Sequence, residues 1–239
     1  MDARNGSLAL LALGAIACSD TPRSCDLSTS ALVLQATVSD LDDGVAVEIE
    51  LETAGETGSP GGSGTTLALC PDADRLEVNG VVAEELYALG HRYYVVSFDE
   101  SASSYEISLQ RNDNTSVSAI VEMPPTLEIS EPGGGSTRSR GEPIEIGWTP
   151  SWSGHQINLA IEDEIGSSCI EGLGYDSDID DTGSFSVGAN ALIGGSAAST
   201  CEVTLTLTRV LEAEYPAELA AGGSITAIVK RRRLFTSVE

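Results

Sequence analysis

Cations are the scarcest feature of this chain. Of 239 residues only 12 are Lys or Arg, against 37 Asp or Glu, and Lys230 is the only lysine. A formal net charge of -25 repels nucleic-acid phosphates and anionic lipid head groups, so the composition argues against a nucleic-acid ligand. It suits the solvated acidic surface of an exported protein and leaves cation binding open. Histidine is almost as rare: His91 and His155 are the only two, and no G-x-S-x-G turn is present, so a Ser-His-Asp hydrolase has no signature here. Both histidines read as exposed polar residues. Five cysteines occur without any C-x-x-C spacing, which disfavours a zinc site. Beyond the first 18 residues no apolar run approaches the length needed to cross a bilayer. Helix-period patterning is nearly missing too, with only residues 82–89 and 217–221 open to short helical turns.

What is present is alternation. In residues 45–51 Val45, Val47, Ile49 and Leu51 share one face and Ala46, Glu48 and Glu50 the other; residues 32–38, 105–111, 144–148 and 156–161 repeat the pattern. A period of two with β-branched residues means half-buried strands. Asn79-Gly80 between apolar residues predicts a tight hairpin. Glycine-rich stretches at 52–64 and 132–141 read as loops, and Met123-Pro124-Pro125 breaks the pattern near the middle. The expected organisation is a leader over 1–17, a tether over 18–30, one domain over 31–123 and a second over 126–235, each of about 100 residues. Two short matches join the halves: Glu106-Ile107-Ser108-Leu109 with Glu202-Val203-Thr204-Leu205, and residues 116–121 with 224–229. They fit either a duplicated unit or shared strand chemistry.

Two resemblances add to this. After Arg4, residues 8–18 read L-A-L-L-A-L-G-A-I-A-C, an apolar run of signal-peptide length. Ala15-Ile16-Ala17-Cys18 resembles the lipobox of bacterial lipoproteins. That resemblance implies cleavage before Cys18, a diacylglycerol on its sulfur, and a cell-envelope location at the outer membrane, with attachment held by two or more acyl chains. An ordinary cleaved leader is the competing reading. In the second half, Ile144-Glu145-Ile146-Gly147-Trp148-Thr149-Pro150 is similar to the second strand of fibronectin type III and related immunoglobulin-like modules. Tyr105 is similar to their tyrosine corner, whose hydroxyl bonds nearby backbone. The implied fold class is all-β, with two tandem immunoglobulin-like β-sandwich domains after a signal peptide and short tether.

Removing Cys18 leaves four cysteines, an even number suited to an oxidising compartment. Three pairings are open; one bridge per domain joins Cys25 to Cys70 and Cys169 to Cys201. Asp176, Asp178 and Asp180 place carboxylates at alternate positions, so the segment reads as a solvated acidic loop or as a calcium site. It departs from the EF-hand pattern at Asp181, where glycine is required, and at Val187, where the bidentate glutamate belongs. Lys230-Arg231-Arg232-Arg233 is the one basic cluster, and on a strand its members alternate between faces. It reads as a charged edge strand or as a dock for an acidic partner or the protein's own acidic face. The expected function is a lipid-anchored, non-enzymatic binding, adhesive or structural module with a protein or glycan partner. An exported hydrolase or carbohydrate-active enzyme using carboxylates is the alternative, marked by a cleft where carboxylates of raised pKa converge.

Overall fold

The computed structural model describes residues 22–54, 65–88, 90–163, 170, 174–192 and 200–239. The leader, Cys18 and Cys169 lie outside the described residues. Alternation becomes strand throughout. The first half carries β1 (Leu32–Leu41), β2 (Gly44–Thr53), β3 (Arg75–Val78), β4 (Val81–Val82), β5 (Glu84–Ala88), β6 (His91–Phe98), β7 (Ser104–Gln110) and β8 (Ser116–Glu122). The second carries β9 (Glu128–Glu131), β10 (Thr137–Ser139), β11 (Ile144–Thr149), β12 (Gln156–Asp163), β13 (Tyr175–Asp180), β14 (Ser184–Val187), β15 (Thr200–Glu212) and β16 (Ser224–Val238). The only helical turns among the described residues are two of 3-10 type, at Ser24–Asp26 and Thr29–Ala31. Residues 84–88, expected as a candidate helical turn, are a strand paired with β6, because Glu84 to Ala88 lies in register with Val95 to His91 across the sheet. Asn79 and Gly80 both take positive φ, 48° and 76°, and close the β3–β4 hairpin as their sequence predicts.

The described residues form three sheets. A nine-stranded sheet runs β13-β12-β15-β16-β1-β2-β6-β5, with β10 also pairing β16. The four-stranded sheet β4-β3-β7-β8 covers one end of it and the three-stranded sheet β14-β11-β9 the other. Two hydrophobic cores result. The first gathers Leu34, Val47, Ile49, Tyr94, Ile107 and Val121; the second gathers Ile146, Trp148, Leu159, Leu205, Leu207 and Phe235. The fold is thus all-β, a pair of sandwiches that share one sheet.

The shared element is the β15–β16 ribbon, which pairs antiparallel from Thr200↔Val238 to Glu212↔Thr226. Its closed end packs in the first core through Ile225 and Ala227, with Leu211 and Ala213 against them, while Val203, Leu205, Leu207 and Phe235 belong to the second. The chain therefore crosses the expected 124–125 boundary a second time, and residues 224–229 stand beside β1 in parallel register, Gln35↔Ser224 to Asp40↔Val229. Period-two patterning identifies a strand but says nothing of which sheet receives it. The matched segments of the two halves also pair differently: residues 106–109 oppose 117–120 in the first, whereas residues 203–205 oppose 233–235, not 225–228, in the second.

The expected tether is shorter than its sequence suggests. From Pro22 onward it is docked: Ala68 donates to the Pro22 carbonyl, Ser24 donates from its backbone to Ala68, and the Cys25–Cys70 disulfide closes the contact. Buried Arg111 donates to the carbonyls of Ser24 and Leu27, and Ser24 Oγ donates to Asp74. A polar, proline-interrupted stretch looks unfolded by composition, but its backbone groups are satisfied here by an arginine 87 residues away.

Candidate binding groove

Alternation along β16 sorts the basic cluster. Ile225, Ala227, Val229 and Phe235 point into the cores, so Arg231 and Arg233 occupy the same inward row at the waist between them. Both are engaged. Arg231 donates to the Asp40 carboxylate at 2.8 Å and to its carbonyl at 2.9 Å, and Arg233 donates to the Ile129 carbonyl at 2.6 Å. Lys230 and Arg232 point outward, and among the described residues their side chains make no hydrogen bond or ion pair. β16 lies inside the nine-stranded sheet and not at its outer edge, which corrects the edge-strand reading for the strand as a whole, although β1 pairs it only as far as Val229 and β10 only from Thr236; docking onto the protein's own acid is realised by Arg231 on Asp40.

The outward pair lies in an open groove of about 700 Å³ across β12, β15 and β16. Its floor is Thr204, Thr206, Arg232, Lys230 and Leu234, with Thr206 directly opposite Arg232; Gly134 and Gly135 form one wall. Asp42, Glu162 and Asp163 sit among the lining residues, matching the three cations Lys230, Arg232 and Arg233. A second hollow of about 350 Å³ adjoins it, sharing Asp42, Arg232 and Arg233 and adding Leu127, Glu128, Ile129 and Arg231. Such a surface separates charge locally while staying neutral in sum, which selects a ligand by where its charge sits and not by how much it carries.

A third hollow, about 500 Å³, contains His155, Gln156, Asp180, Asp181 and Thr182 with Ser151 and Ser153. Its chemistry is structural. His155 is stacked on Trp152 at 3.5 Å and 6°, and among the described residues no carboxylate is hydrogen-bonded to its ring. Asp181 accepts from Arg209 Nε at 2.7 Å, from Arg209 Nη2 at 3.1 Å and from Trp148 Nε1 at 2.7 Å. Burial works to raise its pKa, but these hydrogen bonds outweigh burial and hold it below the usual carboxylate range. Glu52 is raised, by burial and then by Glu50, yet it lines none of these hollows. His91 is exposed at the start of β6.

The acidic segment is corrected from loop to strand. Asp176, Asp178 and Asp180 lie on β13, an edge of the nine-stranded sheet; alternate carboxylates are as natural to a period-two strand as to a calcium loop. Asn158 Nδ2 donates to Asp176 at 2.8 Å and to Asp178 at 3.1 Å, placing an amide donor between carboxylates where a cation would need oxygens. Among the described residues no group of three or more His, Cys, Asp or Glu side chains is placed to hold a metal ion. Cys25 and Cys70 are bonded to each other; Cys201 is 4 % exposed and disulfide-bonded, while Cys169 lies outside the described residues.

Reading by composition missed the buried arginines. Arg209 is 0 % exposed and reaches the carbonyls of Pro125 and Pro150 besides Asp181. A signal was present: in residues 203–209 Val203, Leu205 and Leu207 form the inward row, and Arg209 is its next member. Tyr105 follows its resemblance, 1 % exposed, its hydroxyl accepting from the Ala102 amide at 3.0 Å.

Fold and groove together define an all-β protein of paired sandwiches with an open, charge-separated groove. Neither a protein-family model nor a curated protein matches the chain. Among solved structures it is similar to the fibronectin(III)-like modules of Clostridium thermocellum CbhA, at 9 % identity over 83 % of this chain and 92 % of that one, with a TM-score of 0.24. The central fibronectin-III array of RIM-binding protein gives 14 % identity, 83 % and 68 % coverage and 0.24. The Yersinia pseudotuberculosis adhesin InvE gives 12 % identity, 82 % and 58 % coverage and 0.22. At these scores the likenesses bring no argument about partner or activity, and the fold rests on the strand pairing itself.

Proposed function

We propose that this chain is a lipid-anchored cell-envelope protein, acting as a non-enzymatic binding module that presents its β12–β15–β16 face to a partner. The observation that carries the reading is the groove: among the described residues the arginines buried in the cores and at the waist are engaged, whereas the outward side chains of Lys230 and Arg232 make no hydrogen bond or ion pair. The Cys25–Cys70 bridge supports an oxidising location. An acyl group on Cys18 would sit four residues before Pro22, a reach of about 14 Å, so the first sandwich would stand close against the membrane.

The test uses full-length protein in a bacterial envelope. Labelled palmitate is expected on the wild type and absent from Cys18→Ala, and solubilised envelope extracts are expected to yield a partner captured by wild type but not by Lys230→Glu/Arg232→Glu. Equal labelling of both proteins overturns the anchor, and equal capture by both overturns the groove.

A further inference from the structure

β16 is paired without a break along its β15 side, but along the opposite side it is served by two separate strands. β1 pairs as far as Asp40↔Val229, and β10 begins at Thr137↔Thr236. Among the described residues no strand faces residues 230–235 there. The direction of the backbone groups is fixed by their neighbours. Ile225 accepts from Ala213 on the β15 side, whereas Leu234 accepts from Gly135, Val238 accepts from Arg140 and Thr236 donates to Ser136 on the other. Peptide groups alternate along a strand, so even-numbered residues turn both N–H and C=O toward the interrupted side. The Lys230 carbonyl is taken by Arg231 Nη1 and the Leu234 carbonyl by the Gly135 amide. Arg232 lies midway, its donor and acceptor aimed into a notch bordered by both the 700 Å³ groove and the 350 Å³ hollow.

We infer that this notch binds an extended peptide segment carrying one acidic side chain, by strand addition at Arg232. The inference rests on the binding-module reading above and names its ligand. The Arg232 N–H donates to a ligand carbonyl and its C=O accepts a ligand N–H, the main-chain pairing that gives strand addition its affinity. Arg232's own side chain is on the outer face, so the ligand residue opposite it projects the same way and brings its carboxylate to Lys230 and the Arg232 guanidinium. The flanking ligand side chains turn to the opposite face, toward the hollow beside Leu127 and Ile129. A free anion matches this place less well, because it uses the N–H and leaves the carbonyl facing its charge. A polyanion is opposed by Asp42, Glu128, Glu162 and Asp163 around the notch and by the net charge of -25, so a single acid is the selected pattern.

The experiment titrates the full chain against dye-labelled acetyl-Thr-Val-Asp-Val-Thr-amide, reading anisotropy and the Arg232 amide resonance. Saturable binding that moves that resonance is expected. The Asp→Asn peptide and the Lys230→Gln/Arg232→Gln protein are each expected to bind at least tenfold more weakly, with an unchanged melting curve for the double variant, whose replaced side chains are half-buried at 230 and exposed at 232. Methylating the backbone nitrogen of the Asp, or of the Val after it, is expected to abolish binding at one of the two positions. Tight binding of both methylated peptides overturns strand addition, and equal binding of the Asn peptide overturns the acidic requirement. Inorganic phosphate moving the Arg232 resonance while no peptide binds overturns the peptide class and leaves an anion site only. If the peptides fail while envelope capture still depends on Lys230 and Arg232, the ligand class falls and the binding-module reading stands; if capture is also independent of them, both fall.

Discussion

Three arginines in this molecule obey one rule: each continues an inward row of apolar residues and each meets a carboxylate. Arg209 follows Val203, Leu205 and Leu207 to Asp181; Arg111 follows Tyr105, Ile107 and Leu109 to Asp74; Arg231 follows Ile225, Ala227 and Val229 to Asp40. A buried guanidinium demands this, because an unpaired charge inside a core is far costlier than any surface charge. Asp181→Asn, which keeps the shape but strands Arg209, is expected to lose about 3–5 kcal/mol in urea denaturation. The depressed pKa of Asp181 sets the pH dependence. Its stabilisation is complete above the unfolded carboxylate value, near pH 4, and is lost as pH falls through the lower folded value. The stability gap between wild type and Asp181→Asn is therefore expected to narrow below about pH 4, and a gap that stays constant to pH 2 would contradict this account.

Among the elements, the docked amino-terminal stretch and the β15–β16 ribbon do the joining. The stretch is held by one disulfide across a separation of 45 residues, by the parallel bridge of Arg23 with Ala68, and by the Arg111–Asp74 pair beneath. On the loop-entropy model that bridge contributes about 4 kcal/mol. Cys25→Ser/Cys70→Ser is expected to lower stability by an amount of that order, and limited proteolysis is expected to cut within residues 22–30 of the variant before any strand is lost. Unchanged denaturation and cleavage would show that Arg111 holds the segment alone. The ribbon joins the cores through side chains that alternate by element face: its inward row is apolar at both ends and arginine at the waist.

At the scale of the whole molecule, both cores depend on one sheet. The Pro125 carbonyl is held by Arg209, Thr126 Oγ1 donates to Asp40 at 3.3 Å, and Asp40 in turn accepts from Ser101 and Arg231, so the connection between the halves is clamped from both sides. Because β16 supplies residues to each core, neither can keep its packing when the ribbon leaves. One unfolding transition is expected, with fluorescence of Trp148 and Trp152, which belong to the second half, coincident with far-ultraviolet circular dichroism. Two resolved transitions would mean that the cores are energetically independent despite the shared strand.

The sequence by itself determined the all-β class, the strands with clear apolar alternation such as β1, β2, β7, β11 and β12, the Asn79-Gly80 turn and the direction in which each residue of the basic cluster points, since those follow from a period of two and from local backbone chemistry. Arg209 was legible in the same way, as a charge in an apolar row. Only the tertiary structure decided that β16 lies inside a sheet spanning both cores, that Asp176 and its neighbours sit on an edge strand beside Asn158, and that Arg232 faces a break between β1 and β10. Strand pairing joins residues more than 180 apart, as Gln35 and Ser224 are joined, and alternation carries no information about which strand becomes the neighbour.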